Sequence, residues 1–300
     1  MKTNMLKKRN PGPLYGWPMG IWYSLFFIVP IAIIVCYSFM RRDIHGGVIH
    51  EFTLTAYKQM FSANYGKIFL RTIIVTAVTT FITILISLPC GYAMARSKHQ
   101  TLLLILVVIP FFTNSLIRIF AWMNILGENG LLNGIYEALF NIGNFITGNS
   151  GEFTPAKFMN TTGAIILVSV YMYLPYAILP VFTAVDRFDF ALLEAARDLG
   201  ASKPASIVKI LFPGIKSGII SALIFTFIPI FGNYTVPQLV GGKNYMLGNI
   251  IMDQTQKARN IPLVSAFSVV LTVVSMGAIL LMILSEKKEA ELNNSSNKDE

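Results

Sequence analysis

Residues 189–213 read DFALLEAARDLGASKPASIVKILFP, a charged segment that lies between two long apolar runs. The pattern predicts two short helices separated by a bend. Asp189 is a good N-cap for the first helix, because its carboxylate can accept a hydrogen bond from a free N–H group of the first turn. The apolar residues of this helix recur at i, i+3, i+4 and i+7, and they therefore share one face: Leu192, Ala195, Ala196 and Leu199.

The bend is expected at Gly200, because a helix C-terminus favours a left-handed residue and glycine adopts that conformation without a steric penalty. Ser202 is then the expected N-cap of the second helix, with Pro204 in its first turn. On the first helix, the small side chains of Ala195 and Ala196 leave a shallow ridge. Another protein surface can approach such a ridge closely, so the segment is a candidate docking element.

Charged side chains flank this ridge. Glu194 and Asp198 are expected to project to its sides, where they can form charged contacts. The residues alone also fit a second interpretation, an amphipathic helix that lies on a membrane surface.

The rest of the chain is too apolar for a soluble protein. Hydrophobic residues make up 54% and charged residues 13% of the 300 residues, and the mean hydropathy is +0.60, whereas soluble domains carry about 25% charged residues. The composition therefore predicts an all-α, polytopic membrane protein. Six apolar runs are long enough to be transmembrane helices: Trp17–Met40, Ile68–Ala95, Thr101–Leu126, Thr161–Val185, Ser217–Val240 and Ile261–Leu284.

The distribution of basic residues predicts the orientation in the membrane. Residues 17–284 form the expected six-span domain, and residues 127–160 form a polar loop on its outer side. Arg41 and Arg42, on the outer side after the first run, are a local exception to the positive-inside rule. Four segments hold most of the Lys and Arg and are expected in the cytoplasm: the N-terminal tail 1–16, the turn 96–100, the loop 186–216 and the C-terminal tail 285–300.

The sequence argues against several chemistries. No G-x-x-x-x-G-K-[ST] motif occurs, so nothing predicts that this chain binds a nucleotide or another cofactor itself. None of the 15 Asp and Glu residues lies in an apolar run, which disfavours a proton relay and an intramembrane carboxylate protease. The three His residues are scattered in loops and predict no metal site. No catalytic residue is predicted, and an intramembrane enzyme is a remote alternative. The net charge of +9 comes largely from residues that flank the apolar runs, so nucleic acid is not an expected partner.

The charged segment also resembles a known motif, the EAA loop of ABC-importer permeases. The matching residues are Glu194, Ala195, Ala196, Gly200, Ile210 and Pro213. Phe212 stands where the family usually has leucine. Two further stretches, Asn114–Trp122 and Gly232–Asn249, resemble the spermidine/putrescine permease branch of that family.

The resemblance implies a type I ABC-importer permease fold in the bacterial plasma membrane. The implied partners are a second permease subunit, two ATPase subunits that bind ATP, and an extracellular substrate-binding protein. The implied substrates are polyamines, with another small solute as the alternative. In that family the EAA loop is the coupling helix, which moves as a lever when the ATPase dimer closes and rocks the spans between inward-open and outward-open states. The resemblance assigns ATPase coupling to Glu194, Ala195, Ala196, Asp198, Gly200 and Ser202.

Five residues are candidates for the translocation path. Tyr173 and Tyr176 fall near the middle of the fourth run, where tyrosine is uncommon, and their ring faces can attract a cation. Asn233 and Tyr234, near the outer end of the fifth run, are expected at the entrance. Arg118 lies about 26 Å along the third run if that helix is straight, which places it near the outer edge, where it can snorkel or act in gating. The alternative for the tyrosines is packing and hydrogen bonding to a neighbouring helix.

Overall fold

The computed structural model describes residues 12–43, 46–147 and 152–296, so the predicted tails lie partly outside the described residues. An antiparallel hairpin joins β1 (Met40–Arg42) and β2 (Val48–Phe52). Short π-helical turns occur at Ser24–Ile28 and Ile207–Leu211, and a 3₁₀ turn at Ile109–Phe112. The α-helices are α1 (Gly12–Tyr23), α2 (Val29–Ser38), α3 (Thr55–Met60), α4 (Ala63–Ala95), α5 (Gln100–Val108), α6 (Ser115–Leu126), α7 (Leu131–Thr147), α8 (Thr162–Asp186), α9 (Ala191–Asp198), α10 (Lys203–Ser206), α11 (Phe212–Gly214), α12 (Lys216–Phe231), α13 (Thr235–Val240), α14 (Leu247–Gln256) and α15 (Ile261–Ser296).

Four helical stretches are long and apolar enough to cross a membrane without a sharp bend: Trp17–Ser38, Ala63–Ala95, Thr162–Asp186 and Ile261–Leu280. Two further helix pairs are long and apolar enough to cross a membrane only when the two helices of each pair are counted together. Gln100–Phe112 and Ser115–Ile146 meet at 92°, and Lys203–Gly214 and Lys216–Phe231 meet at 70°. The number of spans is therefore four, or up to six when each bent pair counts as one span.

The third apolar run is not one straight helix. Its backbone is extended at Thr113, and the Asn114 side chain then caps α6 by accepting a hydrogen bond from the Leu116 N–H at 2.8 Å. This cap starts a new helix in a new direction. The depth expected for Arg118 is wrong, because it assumed a straight helix where the structure has a bend of 92°.

Two elements differ from the sequence prediction. Within the predicted polar loop, Leu131–Thr147 form α7. The β1–β2 hairpin is an addition to the all-α prediction, and Gly46 and Gly47 lie beside its turn with φ of +88° and +122°. The large apolar side chains of α7 recur at i, i+4, i+8 and i+11 and are exposed: Leu131, Ile135, Leu139 and Ile142.

The two arginines that depart from the positive-inside rule lie in β1 of the hairpin. Arg41 Nη1 lies 3.1 Å from Glu51 Oε2, across the hairpin. Arg42 Nη2 donates a hydrogen bond to the Ala258 carbonyl. Both guanidinium groups therefore have acceptors within the described residues, that of Arg41 in the hairpin itself and that of Arg42 far along the chain.

The chain forms two compact units. One comprises the described residues up to Ser62 together with Gln254–Val270, and it contains the hairpin. The other comprises Ala63–Asp253 and the chain from Leu271 onward, and its core is α4 packed against α8 and α12. The face of α4 in this core carries small hydroxyl side chains, which allow close helix packing in a membrane: Thr72, Thr76, Thr79, Thr80, Thr83 and Ser87.

Candidate functional site

The segment after α8 forms the two predicted helices with a bend between them. The N-cap of α9 is Phe190, one residue later than predicted, and Asp189 Oδ1 accepts a hydrogen bond from the Ala191 N–H at 3.0 Å. Gly200 has φ of +91°, which confirms the left-handed bend. Ser202 Oγ accepts from the Ala205 N–H at 3.4 Å and caps α10. These local contacts hold the two helices on either side of the bend.

The predicted apolar face of α9 is open to the surroundings. Leu199 is 90% exposed and Leu192 is 52% exposed. An apolar face that the chain itself leaves uncovered is typical of a surface that another protein covers. The six candidate coupling residues are exposed or half-buried on the same segment: Glu194, Ala195, Ala196, Asp198, Gly200 and Ser202.

The opposite face of α9 is anchored in the membrane domain. Leu193 and Leu211 are each 2% exposed. They belong to one buried cluster with Ala95 of α4, Val185 of α8 and Ile215 beside α12. A displacement of α9 must therefore act on the ends of these three helices.

Phe190 provides a second anchor at the start of α9. The guanidinium carbon of Arg96 lies 4.8 Å from its ring centroid, a cation–π geometry. The rings of Tyr92 and Phe188 lie 6.1 Å and 5.7 Å from the same ring. Phe190 thus ties α9 to the end of α4 as well as to α8.

Four of the five candidate path residues lie together. Asn233 Nδ2 donates a hydrogen bond to Tyr173 Oη at 2.6 Å, although the two residues are 60 positions apart. The ring centroids of Tyr173 and Tyr176 are 5.8 Å apart. Tyr173, Asn233 and Tyr234 line a cavity of about 290 Å³. Asn233 Oδ1 also accepts from the Val236 N–H at 3.1 Å, in the first turn of α13.

Arg118 is not part of this group. Among the described residues it lines neither the cavity at Tyr173 nor the groove described next. Its Nε and Nη1 atoms are buried and have no hydrogen-bond partner within the described part of the chain. Burial of donor groups without an acceptor costs free energy, and the gating role of Arg118 stays a prediction.

A second and larger space, which we name the α8–α12 groove, has a volume of about 890 Å³. It extends from Tyr176 to Asp189, next to α9. Of the residues that line this groove, only Tyr176 was predicted to belong to the path, and the hydroxyl groups of the walls were not predicted. Their helical spacing could have predicted them, because they fall on the same helix faces as the other lining residues. These hydroxyl residues are Thr183, Ser217 and Ser221.

Gly218 allows the two walls of the groove to meet. A Cβ atom at this position would lie 2.9 Å from the Pro180 carbonyl oxygen and would collide with Ala184. Only glycine therefore permits this approach of α12 to α8 without a shift of one helix.

The fold and the anchored segment define a membrane permease, and comparison with known families identifies which kind. Residues 60–287 match the family described as the binding-protein-dependent transport system inner membrane component. The chain belongs to this family, whose members are membrane permeases of ABC importers, as the EAA loop predicted.

The relatives include polyamine permeases. The chain is 34% identical over 279 residues to the spermidine/putrescine transport system permease protein PotB of Escherichia coli (strain K12), covering 90% of this chain and 98% of the relative. The similarity to this branch that was expected from the sequence is confirmed.

Solved structures confirm the fold. The crystal structure of a bacterial ABC transporter involved in the import of the acidic polysaccharide alginate includes a chain that matches with a TM-score of 0.68 at 15% identity, covering 93% of this chain and 96% of that one. A bacterial alginate ABC transporter in complex with an alginate pentasaccharide-bound periplasmic protein matches with a TM-score of 0.65 at 14% identity, covering 91% and 93%. At these identities the match establishes the fold and not the solute.

Proposed function

We propose that this chain is a permease subunit of an ATP-driven importer and forms part of the translocation path for polyamines. The observation that carries the proposal is the similarity to PotB over 90% of the chain. The grouping of Tyr173, Tyr176 and Asn233 supports it, because ring faces and neutral oxygens attract an ammonium ion without trapping it. Another small solute is the second candidate, because the family match alone does not specify the solute.

The partners in this proposal are a second permease subunit, two ATPase subunits and an extracellular substrate-binding protein. The exposed face of α9 supports an ATPase as the protein that covers it. ATP is bound by that partner and not by this chain. With α9 in the cytoplasm and six spans, the proposal includes both termini on the cytoplasmic side.

The proposed coupling is mechanical. ATP-driven closure of the ATPase dimer displaces α9, and Leu193 and Phe190 pass the displacement to α4 and α8. The path residues Tyr173 and Tyr176 lie on α8 itself. A tilt of α8 therefore changes which side of the membrane these rings face.

Uptake of radiolabelled spermidine and putrescine tests this function. The complete transporter is expressed in cells that lack their own polyamine importers, with and without this subunit. We expect ATP-dependent uptake only when the subunit is present. Absence of polyamine uptake from an assembled transporter that imports another small solute would instead establish the second candidate.

The α9 surface can be tested without disturbing the fold. Leu199→Asp places a charge on a side chain that is 90% exposed, so we expect normal insertion and about tenfold or greater loss of ATPase co-purification, since a buried interface position tolerates an unpaired charge poorly. Leu54→Asp, at a 49% exposed leucine beside the hairpin, is the matched control. Equal ATPase recovery from both variants would argue against α9 as the docking surface.

A further inference from the structure

The α8–α12 groove has two walls with helical periodicity. On α8 the lining residues Tyr176, Pro180, Thr183 and Arg187 are spaced i, i+4, i+7 and i+11. On α12, Ser217, Ser221 and Phe225 are spaced i, i+4 and i+8. At 1.5 Å per residue the α8 wall extends about 16 Å. The groove is therefore long enough for an extended aliphatic amine with more than one nitrogen.

Two of the three wall hydroxyls, those of Thr183 and Ser221, act as acceptors toward this space. Thr183 Oγ1 donates its hydrogen to the Leu179 carbonyl at 2.9 Å. Ser221 Oγ donates to the Ser217 carbonyl, also at 2.9 Å. A hydroxyl has one hydrogen to donate, so only oxygen lone pairs remain for a ligand. Ammonium groups, which only donate, suit such a surface.

The end of the groove farthest from α9 adds two further features that favour a cation. The rings of Tyr176 and Phe225 are 41% and 56% exposed, and their faces can attract an ammonium ion. Pro180 has no N–H group to give to the Tyr176 carbonyl, four residues earlier in α8. That carbonyl is one more acceptor at the same end.

The net charge of the groove lining does not account for the attraction of a cationic ligand. Arg187 and Asp189, at the end near α9, are the two charged residues in the described lining, and they carry opposite charges. Asp189 Oδ1 also accepts from the Ala191 N–H. A ligand is therefore held by hydrogen bonds and ring faces, which require N–H groups and a positive charge together.

We propose that the α8–α12 groove is an ammonium-binding site, on the α9 side of the Tyr173–Tyr176 pair, which receives the N–H-bearing ends of a linear polyamine. This inference rests on the proposed polyamine function and adds a selectivity: primary and secondary ammonium groups bind, whereas quaternary ammonium groups, which have no N–H, bind much more weakly. Thr183 and Ser221 supply the acceptors.

Protection of a cysteine in the assembled, nucleotide-free transporter tests the site. Ser217→Cys is introduced after Cys36→Ala and Cys90→Ala, and the reaction with a small maleimide is followed at rising spermidine concentrations. The same complex with Ser217 restored gives the background from partner subunits. We expect spermidine to protect the cysteine. Permethylated spermidine in which every nitrogen is quaternary, and therefore has no N–H, is expected to need about tenfold or higher concentrations, because hydrogen bonds to charged groups are strong.

Isosteric variants assign the effect to the two hydroxyls. Thr183→Val with Ser221→Ala is expected to raise the protecting spermidine concentration about tenfold or more. Thr226→Val, on the same helix as Ser221, is the control and is expected to leave the protecting concentration unchanged, because Thr226 is buried and donates to the Ala222 carbonyl.

Three results would overturn the proposal: no labelling without spermidine, which means that a partner subunit fills the groove; equal protection by the permethylated amine; or no effect of the double variant. Spermidine uptake by the unaltered transporter is measured in parallel, so a failure here is distinct from a failure of the polyamine function.

Discussion

Gly200→Val is expected to reduce ATP-driven uptake by about tenfold or more while the protein still inserts into the membrane. Gly200 has φ of +91°, a conformation that costs residues with a Cβ roughly 1–2 kcal/mol, and valine tolerates it least. Apart from its two chain neighbours, no described residue has a heavy atom within 4 Å of a Cβ built at this position, so the cost comes from the backbone and not from a collision. The valine variant relieves this backbone strain by opening the bend, and the change misplaces α9 relative to α10.

Gly200→Asn is the matched variant, because asparagine adopts the left-handed conformation more readily than other residues with a Cβ. We expect it to retain most of the uptake. Uptake assays should be paired with membrane quantification of each variant. Full activity of the valine variant would show that the bend is not required, and equal loss in both variants would show that a side chain here blocks an interface.

Tyr173→Leu is expected to cause the second large loss of uptake, again about tenfold or more. The change removes the ring that lies 5.8 Å from Tyr176 and also the acceptor of the Asn233 hydrogen bond. Loss of a cation–π contact in a desolvated site costs about 2 kcal/mol. Initial rates of spermidine uptake at equal expression measure the effect.

Two companion variants separate the ring from the hydroxyl. Tyr173→Phe keeps the ring and leaves Asn233 Nδ2 without this acceptor, so we expect a milder loss. Tyr171→Leu changes a tyrosine whose ring packs against Trp122 instead, and it should affect uptake less than Tyr173→Leu. A phenylalanine variant as impaired as the leucine variant would assign the role to the hydrogen bond.

Sequence patterns predicted the straight spans because these depend on local composition alone. The second predicted run ends at Ala95, as α4 does, and the fourth ends at Val185, one residue before the end of α8. The bend in the third run depends on Asn114, a short polar side chain inside an apolar stretch, which length and hydropathy do not weigh. Helix α7 was missed because its glycines and asparagines resemble a loop, although its leucines and isoleucines have helical spacing.

The candidate site likewise contains features that local sequence predicts and contacts that depend on helix packing. The Ser202 cap and the bend at Gly200 involve neighbours within a few residues, so local rules were sufficient there, although they placed the N-cap of α9 at Asp189, one residue before Phe190. The Tyr173–Asn233 hydrogen bond joins α8 to the end of α12, and it depends on how the two helices pack. Periodicity indicates which face of a helix is buried, but it does not indicate which residue of another helix lies opposite.

The short length of α9 has a further consequence. A helix of eight residues is not stable by itself in water, where about 12–15 residues are needed even for favourable sequences. Its helical state is therefore conditional on the burial of Leu193. If that side chain were pulled out of its cluster, α9 would melt instead of moving as an intact rod. Too large a force on the Leu193 contact would therefore unfold α9 locally, and the displacement would no longer reach the membrane helices. Amide hydrogen exchange in α9 would register this unfolding as a loss of protection.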